Sequence, residues 1–576
     1  MPRSDNLRIN VFLGLILVFS SLVGYKLFNL SIVKHSHYAR TAQAQSENIS
    51  NVLARGNIYI TDKANSQVLL ATNKKFPLVY VIPSKIKAEL KNDLALQVSQ
   101  ILEVDAEELK QKFNSSSSST KVISRKISDD KVSAIKALGV KAIGISYETD
   151  RFYPGNDLAA DIIGFMGYDA DGKRSGQYGV ESFYDADLFG KDTQATKFFE
   201  SANPLSFFSK IIREEKKDDI KDDVPSDIFL TIDKNIQVFI ESKLQSLLNQ
   251  WQYEKASIIV QEPQSGKILA MADWPTFDPN NYSKSKTQLF LNSSTQEIFE
   301  PGSSFKPFTM AIGLDLGKIT PQTTYEDTGS FNIAGYEIKN FDSKAHGKNT
   351  MTEVLQHSLN TGTMFVQGLV GNDDYLDYLI NMGFGQKTDV DLPGELSGDV
   401  TNLYSGRKIN FLTASFGQGI AVTPIQLVNA FSMIANGGKL MKPFIVSKIV
   451  KENGQVTENK PEIVGIPITD KTANKLKTML VGVVDNGYDK KAKIDGYDVA
   501  GKTGTAQIPT GSGGYLEGEF IHSFAGFAPA SSPAFTILIK MDKPKGTTFA
   551  SNSLSVTFRE ITDFLLKYYN IPPTRN

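Results

Sequence analysis

Cysteine is absent from all 576 residues, which removes disulfides, thiolate zinc sites, iron–sulfur clusters and a cysteine nucleophile together. That absence suits an oxidising compartment and a cytosol equally. Charge of one sign is not in excess either. Lys+Arg number 62 against Asp+Glu 63, a net charge of −1, so no basic surplus argues for a nucleic-acid partner and ligand recognition must be local. Histidine is scarce. His35, His37, His346, His357 and His522 are the whole set, and no G-x-S-x-G elbow occurs, which leaves little support for a Ser-His-Asp nucleophile.

Among what is present, Gly496-Tyr497-Asp498-Val499-Ala500-Gly501-Lys502-Thr503 matches the phosphate-binding pattern G-x-x-x-x-G-K-[ST]. Its mechanism needs an apolar strand before the first glycine and a helix opening at Lys-Thr. The preceding DKKAKID, Asp489 to Asp495, is too charged for a buried strand, and the following GTAQIPTGSGG is too rich in Gly and Pro for a helix. The P-loop reading therefore fails on both flanks.

The chain length allows two or three domains. INVFLGLILVFSSLVGY, from Ile9 to Tyr25, continues past Lys26 through LFNLSIV to Val33, long enough to span a bilayer. Ala42-Gln43-Ala44 resembles a signal-peptidase site but lies well beyond the apolar run, so an uncleaved anchor is expected over 9–33. Arg3 and Arg8 favour a cytoplasmic tail over 1–8, although Lys26, Lys34 and Arg40 blunt that asymmetry. The bulk of the chain is then expected outside the cytoplasmic membrane.

Two stretches, NSSSSST at Asn114–Thr120 and REEKKDDIKDD at Arg213–Asp223, read as solvated loops. Residues 45–225, mixing NIYI and FPLVYVI with the helical LKNDLALQVSQILEV, predict an irregular α+β module. Beyond it, Thr231 or Asp233 caps a helix whose apolar positions are Ile236, Phe239, Ile240, Leu244 and Leu247. KASIIVQEPQSGKILAMADW predicts a hairpin turning at Gln264-Ser265-Gly266 in a half-buried antiparallel sheet. HSFAGFAPASSPAFTILIKM predicts a second pair, and VTFREITDFLLKYY a closing helix. The expectation is one α/β domain over 227–570.

In FEPGSSFKPFTMAIGLDL, Ser303 and Lys306 stand three apart near a helix start, on one face and within contact. Partial burial would lower the lysine's pKa and let the neutral amine take the serine proton, while the helix N-terminus supplies N–H groups for an oxyanion. Alone, S-x-x-K also reads as a capping serine with a surface lysine. It is followed by Ser358-Leu359-Asn360 and by Lys502-Thr503-Gly504-Thr505. In this order the three elements resemble the signature of penicillin-recognising serine acyltransferases, and Lys502-Thr503-Gly504 then reads as an edge strand lining an acyl-transfer cleft, whose glycine lets a substrate backbone approach.

The resemblance extends over most of the chain and is to class B penicillin-binding proteins, membrane-anchored D,D-transpeptidases that cross-link peptidoglycan. It is carried by RGNIYITD at Arg55, ETDRFYPGNDLAADIIGFMG at Glu148, GQYGVESFYDADLFG at Gly176, FEPGSSFKPF at Phe299, MGFGQKTDVDLPGE at Met382, SFGQGIAVTPIQLVNAFSMIANGG at Ser415 and HSFAGFAPA at His522. The first three match the family's non-catalytic pedestal, more loosely at Asn65-Ser66-Gln67, where the family has a tighter Asn-Gly turn. The implied fold is a penicillin-binding, serine β-lactamase-like α/β (α+β) transpeptidase domain with a central antiparallel sheet and a helical subdomain. A pedestal and one transmembrane helix precede it.

The resemblance implies that Ser303 attacks the penultimate D-Ala carbonyl of a stem peptide, with Lys306 as acylation base. Ser358 relays a proton to the leaving amine, Lys502 tunes it, and Asn360 holds the substrate amide. Thr503 and Thr505 bind the terminal carboxylate, Gly504 lies between them, and the N–H groups of Ser303 and Thr505 form the oxyanion hole. No metal or cofactor is implied, and β-lactams would trap Ser303. The E-D-x-x-F-x-x-H motif of bifunctional relatives does not occur. A β-lactamase and a β-lactam sensor or inactive scaffold are the alternatives of the same fold. Ser358-Leu359-Asn360 favours a septal, division-type role over the elongation type, which often carries S-x-D. Expected partners are a polytopic glycosyltransferase of the shape, elongation, division and sporulation (SEDS) type packing on 9–33, and divisome regulators.

Overall fold

This computed structural model describes residues 55–115, 120–189, 225–333, 335–511 and 513–575. The expected anchor over 9–33, the tail before it and the charged run Arg213–Asp223 lie outside the described residues. No described helix is long and apolar enough to cross a membrane.

The described chain divides into two compact units, one taking in residues 73–152 and the other residues 55–72 with 153–575. In the smaller unit, the continuation of strand Gln67–Val81 pairs antiparallel with Lys121–Arg125. Helices Lys91–Leu102, Ala106–Asn114 and Asp129–Ala137 surround a core that includes Val79, Val98, Phe113 and Ile135. The looser Asn-Ser-Gln turn is accommodated by Asn65 at φ +60°, with the Asp62 carboxylate accepting from the N–H of Ala64 and Ser66.

The larger unit is built on five antiparallel strands: β1 (Lys255–Gln261), β2 (Ile268–Trp274), β3 (Ala500–Pro509), β4 (Tyr515–Ala528) and β5 (Phe535–Asp542). Their spatial order is β3-β4-β5-β1-β2. The expected hairpin is β1–β2, but its sheet is not half-buried. Ile258, Val260, Ile537 and Ile539 enter one core cluster while Ile259 and Leu538, on the other face, enter another. An uninterrupted apolar run such as Ser257-Ile258-Ile259-Val260 marks a strand covered on both faces. One cover is α1 (Lys234–Trp251), whose cap is Asp233 accepting from the N–H of Asn235 and Ile236, together with the closing helix Ser555–Tyr568. The other is a helical layer: α2 (Lys306–Asp315), α3 (Asn360–Val370), α4 (Pro424–Ala435) and α5 (Asp470–Asn486). All twelve residues of α4 are buried, and Thr423 with Gln426 closes its N-terminus in a capping box.

Candidate active site

Ser303 sits in a 3₁₀ turn, Gly302–Phe305, that runs directly into α2 with Pro307 in the first helical turn, where the missing N–H costs least. Gly302 has φ +56°, and its N–H donates to the Gly417 carbonyl at 3.0 Å. The Glu300 carboxylate accepts from the N–H of Gly419 at 3.0 Å and from the Tyr515 hydroxyl at 3.1 Å, fastening the entrance of the turn to two other segments. Ser303 is half-buried and lines a cleft of about 940 Å³, whereas Lys306, three residues on, is fully buried.

The Lys306 amine does not hydrogen-bond Ser303 in this structure. It donates to the Ser358 carbonyl and, at 3.2 Å, to Ser358 Oγ. Ser358 holds φ +54°, a strained conformation for a side chain with a β-carbon and one that recurs at functional sites. Asn360 opens α3. Its N–H donates to Asn340 Oδ1 at 2.9 Å and its side-chain amide to the Lys339 carbonyl at 2.8 Å, and Asn340 is clamped in turn by Asp327.

Lys502 lies on β3, the edge strand, as the sequence predicts, and no helix follows it, so the P-loop geometry does not form. It is 2 % exposed. Its Nζ donates to the Thr503 carbonyl at 3.3 Å and stands 3.9 Å from Asp489 Oδ2. Burial holds both lysines below the usual amine range. Lys306 goes well below it, pushed further by the Lys502 charge, and Lys502 is lowered less because Asp489 opposes the effect of burial.

Two expectations change. Thr503 donates its hydroxyl to Asp489 Oδ1 at 2.8 Å and its N–H to Asp489 Oδ2 at 3.1 Å, so its one hydroxyl proton is not presented to a ligand. Thr505 Oγ1 only accepts, from the Ala550 N–H at 3.0 Å, and keeps its proton to donate. Gly504 is glycine because the Ser303 turn packs on it. A Cβ there would lie 2.4 Å from Ser523 Oγ, 2.5 Å from the Pro301 carbonyl oxygen and 3.0 Å from Ser304 Oγ. The close approach is of the protein's own backbone, not a substrate's.

Ser303, Ser358, Asn360, Lys502, Thr503 and Thr505 all line the one cleft, and Lys306 reaches it through Ser358. Sequence reasoning missed Asp489, fully buried although it opens the run Asp489–Asp495, whose charge argues against burial. It also missed the aromatic wall, where Phe341 packs edge-on to Tyr488 (centroids 5.5 Å) and Phe549 (5.7 Å). An aromatic between two polar stretches carries no signal before the chain is folded.

The chain matches the penicillin binding protein transpeptidase domain over residues 256–563 and the penicillin-binding protein dimerisation domain over 51–221. It is 31 % identical to stage V sporulation protein D of Bacillus subtilis, over 83 % of this chain and 73 % of that one. It is 26 % identical to the probable peptidoglycan D,D-transpeptidase PenA of Neisseria meningitidis, over 100 % and 95 %. Among solved structures, apo penicillin-binding protein 3 of Mycobacterium tuberculosis matches with a TM-score of 0.64 and 30 % identity, covering 74 % of this chain and 93 % of that one. The aztreonam complex of the same protein gives 0.67 and 26 %, covering 91 % and 98 %. The chain belongs to the class B penicillin-binding proteins, which join a dimerisation domain to a serine transpeptidase domain.

Proposed function

We propose that Ser303 is the nucleophile of a peptidoglycan D,D-transpeptidase that accepts stem peptides ending in D-Ala-D-Ala. The observation that carries this reading is the placement of a cleft-lining serine three residues ahead of a fully buried amine that burial and a second lysine hold well below the usual lysine range. Neutral Lys306 takes the Ser303 proton as Oγ bonds to the penultimate D-Ala carbonyl carbon. The N–H groups of Ser303 and Thr505 receive the oxyanion. The C–N bond breaks as Ser358, bonded to Lys306, passes a proton to the departing D-Ala nitrogen. Asn360 holds the substrate amide, while Lys502 and the Thr505 hydroxyl meet the terminal carboxylate. An amine of a second stem peptide then attacks the ester, forms the cross-link and returns the proton to Ser303. A β-lactam opens on the same serine.

The role is assigned to the division septum, on Ser358-Leu359-Asn360, with a SEDS-type glycosyltransferase and divisome proteins as partners. Residues 9–33 anchor the chain in the cytoplasmic membrane with the cleft outside, supported by the apolar run Ile9–Val33.

The test is intact-protein mass spectrometry of the full chain in detergent after benzylpenicillin, with peptide mapping and a time course. A long-lived adduct on Ser303 is expected, lost in Ser303→Ala and kept in Lys493→Ala, an exposed position outside the cleft. A rapidly lost adduct points to a β-lactamase, and none at all to a scaffold.

A further inference from the structure

Asp489 has no role in the reading above, yet its carboxylate is fully buried beside the two cleft residues that precede Gly504. A buried carboxylate costs heavily unless it is paired and hydrogen-bonded. This one accepts from the Thr503 N–H and hydroxyl and faces the Lys502 ammonium. We propose that Asp489 is a positioning residue of the acylation centre: a buried counter-anion that fixes the Lys502 ammonium in the cleft and withdraws the Thr503 hydroxyl from substrate recognition. This rests on the transpeptidase reading and deepens it.

Two buried lysines in one cleft must divide their roles. A base has to be neutral and an electrostatic anchor for a carboxylate has to be charged. Among the described residues, Lys306 has no carboxylate partner, only the carbonyl and hydroxyl of Ser358. Lys502 has one, at 3.9 Å. Burial lowers both, but at Lys502 the anion opposes it, so Lys502 holds its proton more firmly than Lys306, and the Lys502 charge pushes Lys306 further down. Among the described residues, the other titratable groups of this cleft are His357, Tyr488, Lys339, Lys490 and Lys491. His357 is turned to Asn349, and Lys491 to Asn552. On the strand beside β3, His522 is bonded to Ser553 and Thr548. Asp489 is therefore the anion that distinguishes the two lysines. Its second effect is on hydrogen-bond direction. With the Thr503 proton given to Asp489, Thr505 is the hydroxyl left to donate to a substrate carboxylate.

The experiment is the pH profile of Ser303 acylation by a chromogenic β-lactam, measured on the full chain and on Asp489→Asn. Losing an opposite charge at this distance lowers a lysine's pKa by roughly 1–3 units. The alkaline limb of the variant is expected to move down by about one unit or more while the acid limb moves less, with Asp489→Glu restoring part of the shift. A uniform loss of rate with unmoved limbs would mean a merely structural role and overturn the proposal. So would an unchanged profile. If Asp489→Asn folds poorly, Lys502→Gln/Asp489→Asn is expected to recover folded yield, since it leaves no unpaired buried charge, and equal loss in the double variant overturns the pairing. Absence of a Ser303 adduct in the unaltered chain overturns the transpeptidase reading as well, whereas an adduct with no change in Asp489→Asn overturns this inference alone.

Discussion

Lys306 and Gly504 set opposite demands on the same few ångströms. The amine must lose its proton to act as a base, and its burial at the root of α2 arranges that. Acylation by a β-lactam should therefore rise with pH through an inflection well below the ordinary lysine value. Lys306→Met should lose about 10²–10⁴-fold of the rate at every pH, the usual worth of a positioned base. Stopped-flow acylation across pH checks both, and a Lys306→Met profile that still rises with pH would assign the base elsewhere. Gly504→Ala has a steric cause. Its methyl would collide with a backbone carbonyl oxygen at 2.5 Å, which cannot swing away as a side chain can. Strand and turn must part, at about 1–3 kcal/mol, and the Thr505 N–H moves off the Ser303 oxyanion position. The expected result is a folded protein with acylation lost by far more than its stability, read by a thermal melt beside the adduct assay. Ser303, Lys306, Ser358 and Asn360 were legible in the sequence because each motif is a single local turn. Asp489 was not. Its burial depends on Thr503, fourteen positions away, and a carboxylate followed by two lysines looks solvated until the strand has docked.

At the scale of elements, the site depends on how β4 is tied to the segment after β5. His522, paired with Thr505 across β3 and β4, donates from Nε2 to the Thr548 carbonyl at 3.0 Å and accepts at Nδ1 from Ser553 Oγ at 2.8 Å. The next contact along is the Ala550 N–H on Thr505. Burial lowers the imidazole to about 4 from an unfolded value of 6.5. The unfolded chain thus takes up a proton below pH 6.5 that the folded chain refuses until about 4, and stability falls as pH drops through that window. The loss is up to about 3 kcal/mol at 1.36 kcal/mol per unit. Melting at pH 7 and pH 4.5 should show it, and His522→Gln should flatten the dependence. Equal slopes in the two proteins would remove His522 as the cause. Elements were largely legible: the cap at Asp233, the hairpin at Ser265 and the closing helix follow from capping and turn chemistry. That the sheet is covered on both faces was not, because a hairpin pattern is satisfied by one covered face as well as two.

In the whole molecule, the unit that carries the cleft begins well ahead of the charge run. The charge run Arg213–Asp223 invites a boundary at 225–227, yet the larger compact unit includes residues 55–72 and the described residues from Tyr153 on. Ile58–Thr61 pairs in parallel with Ser226–Asp233, which pairs in turn with Val446–Lys451. Ile58, Ile60, Leu70 and Ala71 belong to the same core cluster as Phe305 and Phe308 beneath the Ser303 turn. Arg55 is buried with Glu181 at 2.6 Å and reaches Asp185 at 2.8 Å, joining the first described residue to the segment ahead of the charge run. No periodicity in Arg55–Thr72 could reveal this, because a parallel partner lies about 170 residues away and hydrophobic patterning reports which face is buried, not against what. A fragment of 227–576 would leave Ile228, Leu230 and Ile232 without the strand beside them and expose fully buried apolar side chains. At roughly 25 cal/mol per Å² of apolar surface, each additional area of about 200 Å² so exposed costs about 5 kcal/mol, against the roughly 5–15 kcal/mol that holds a typical domain folded. The fragment 227–576 should therefore melt broadly and acylate poorly, while 51–576 melts cooperatively and forms the Ser303 adduct at the rate of the full chain. Side-by-side melts and adduct kinetics decide it: equal behaviour of the two fragments would mean that the strand Ile58–Thr61 is an ornament on a self-sufficient domain, and unequal behaviour that the site's foundation is laid by residues that precede it by some 240 positions.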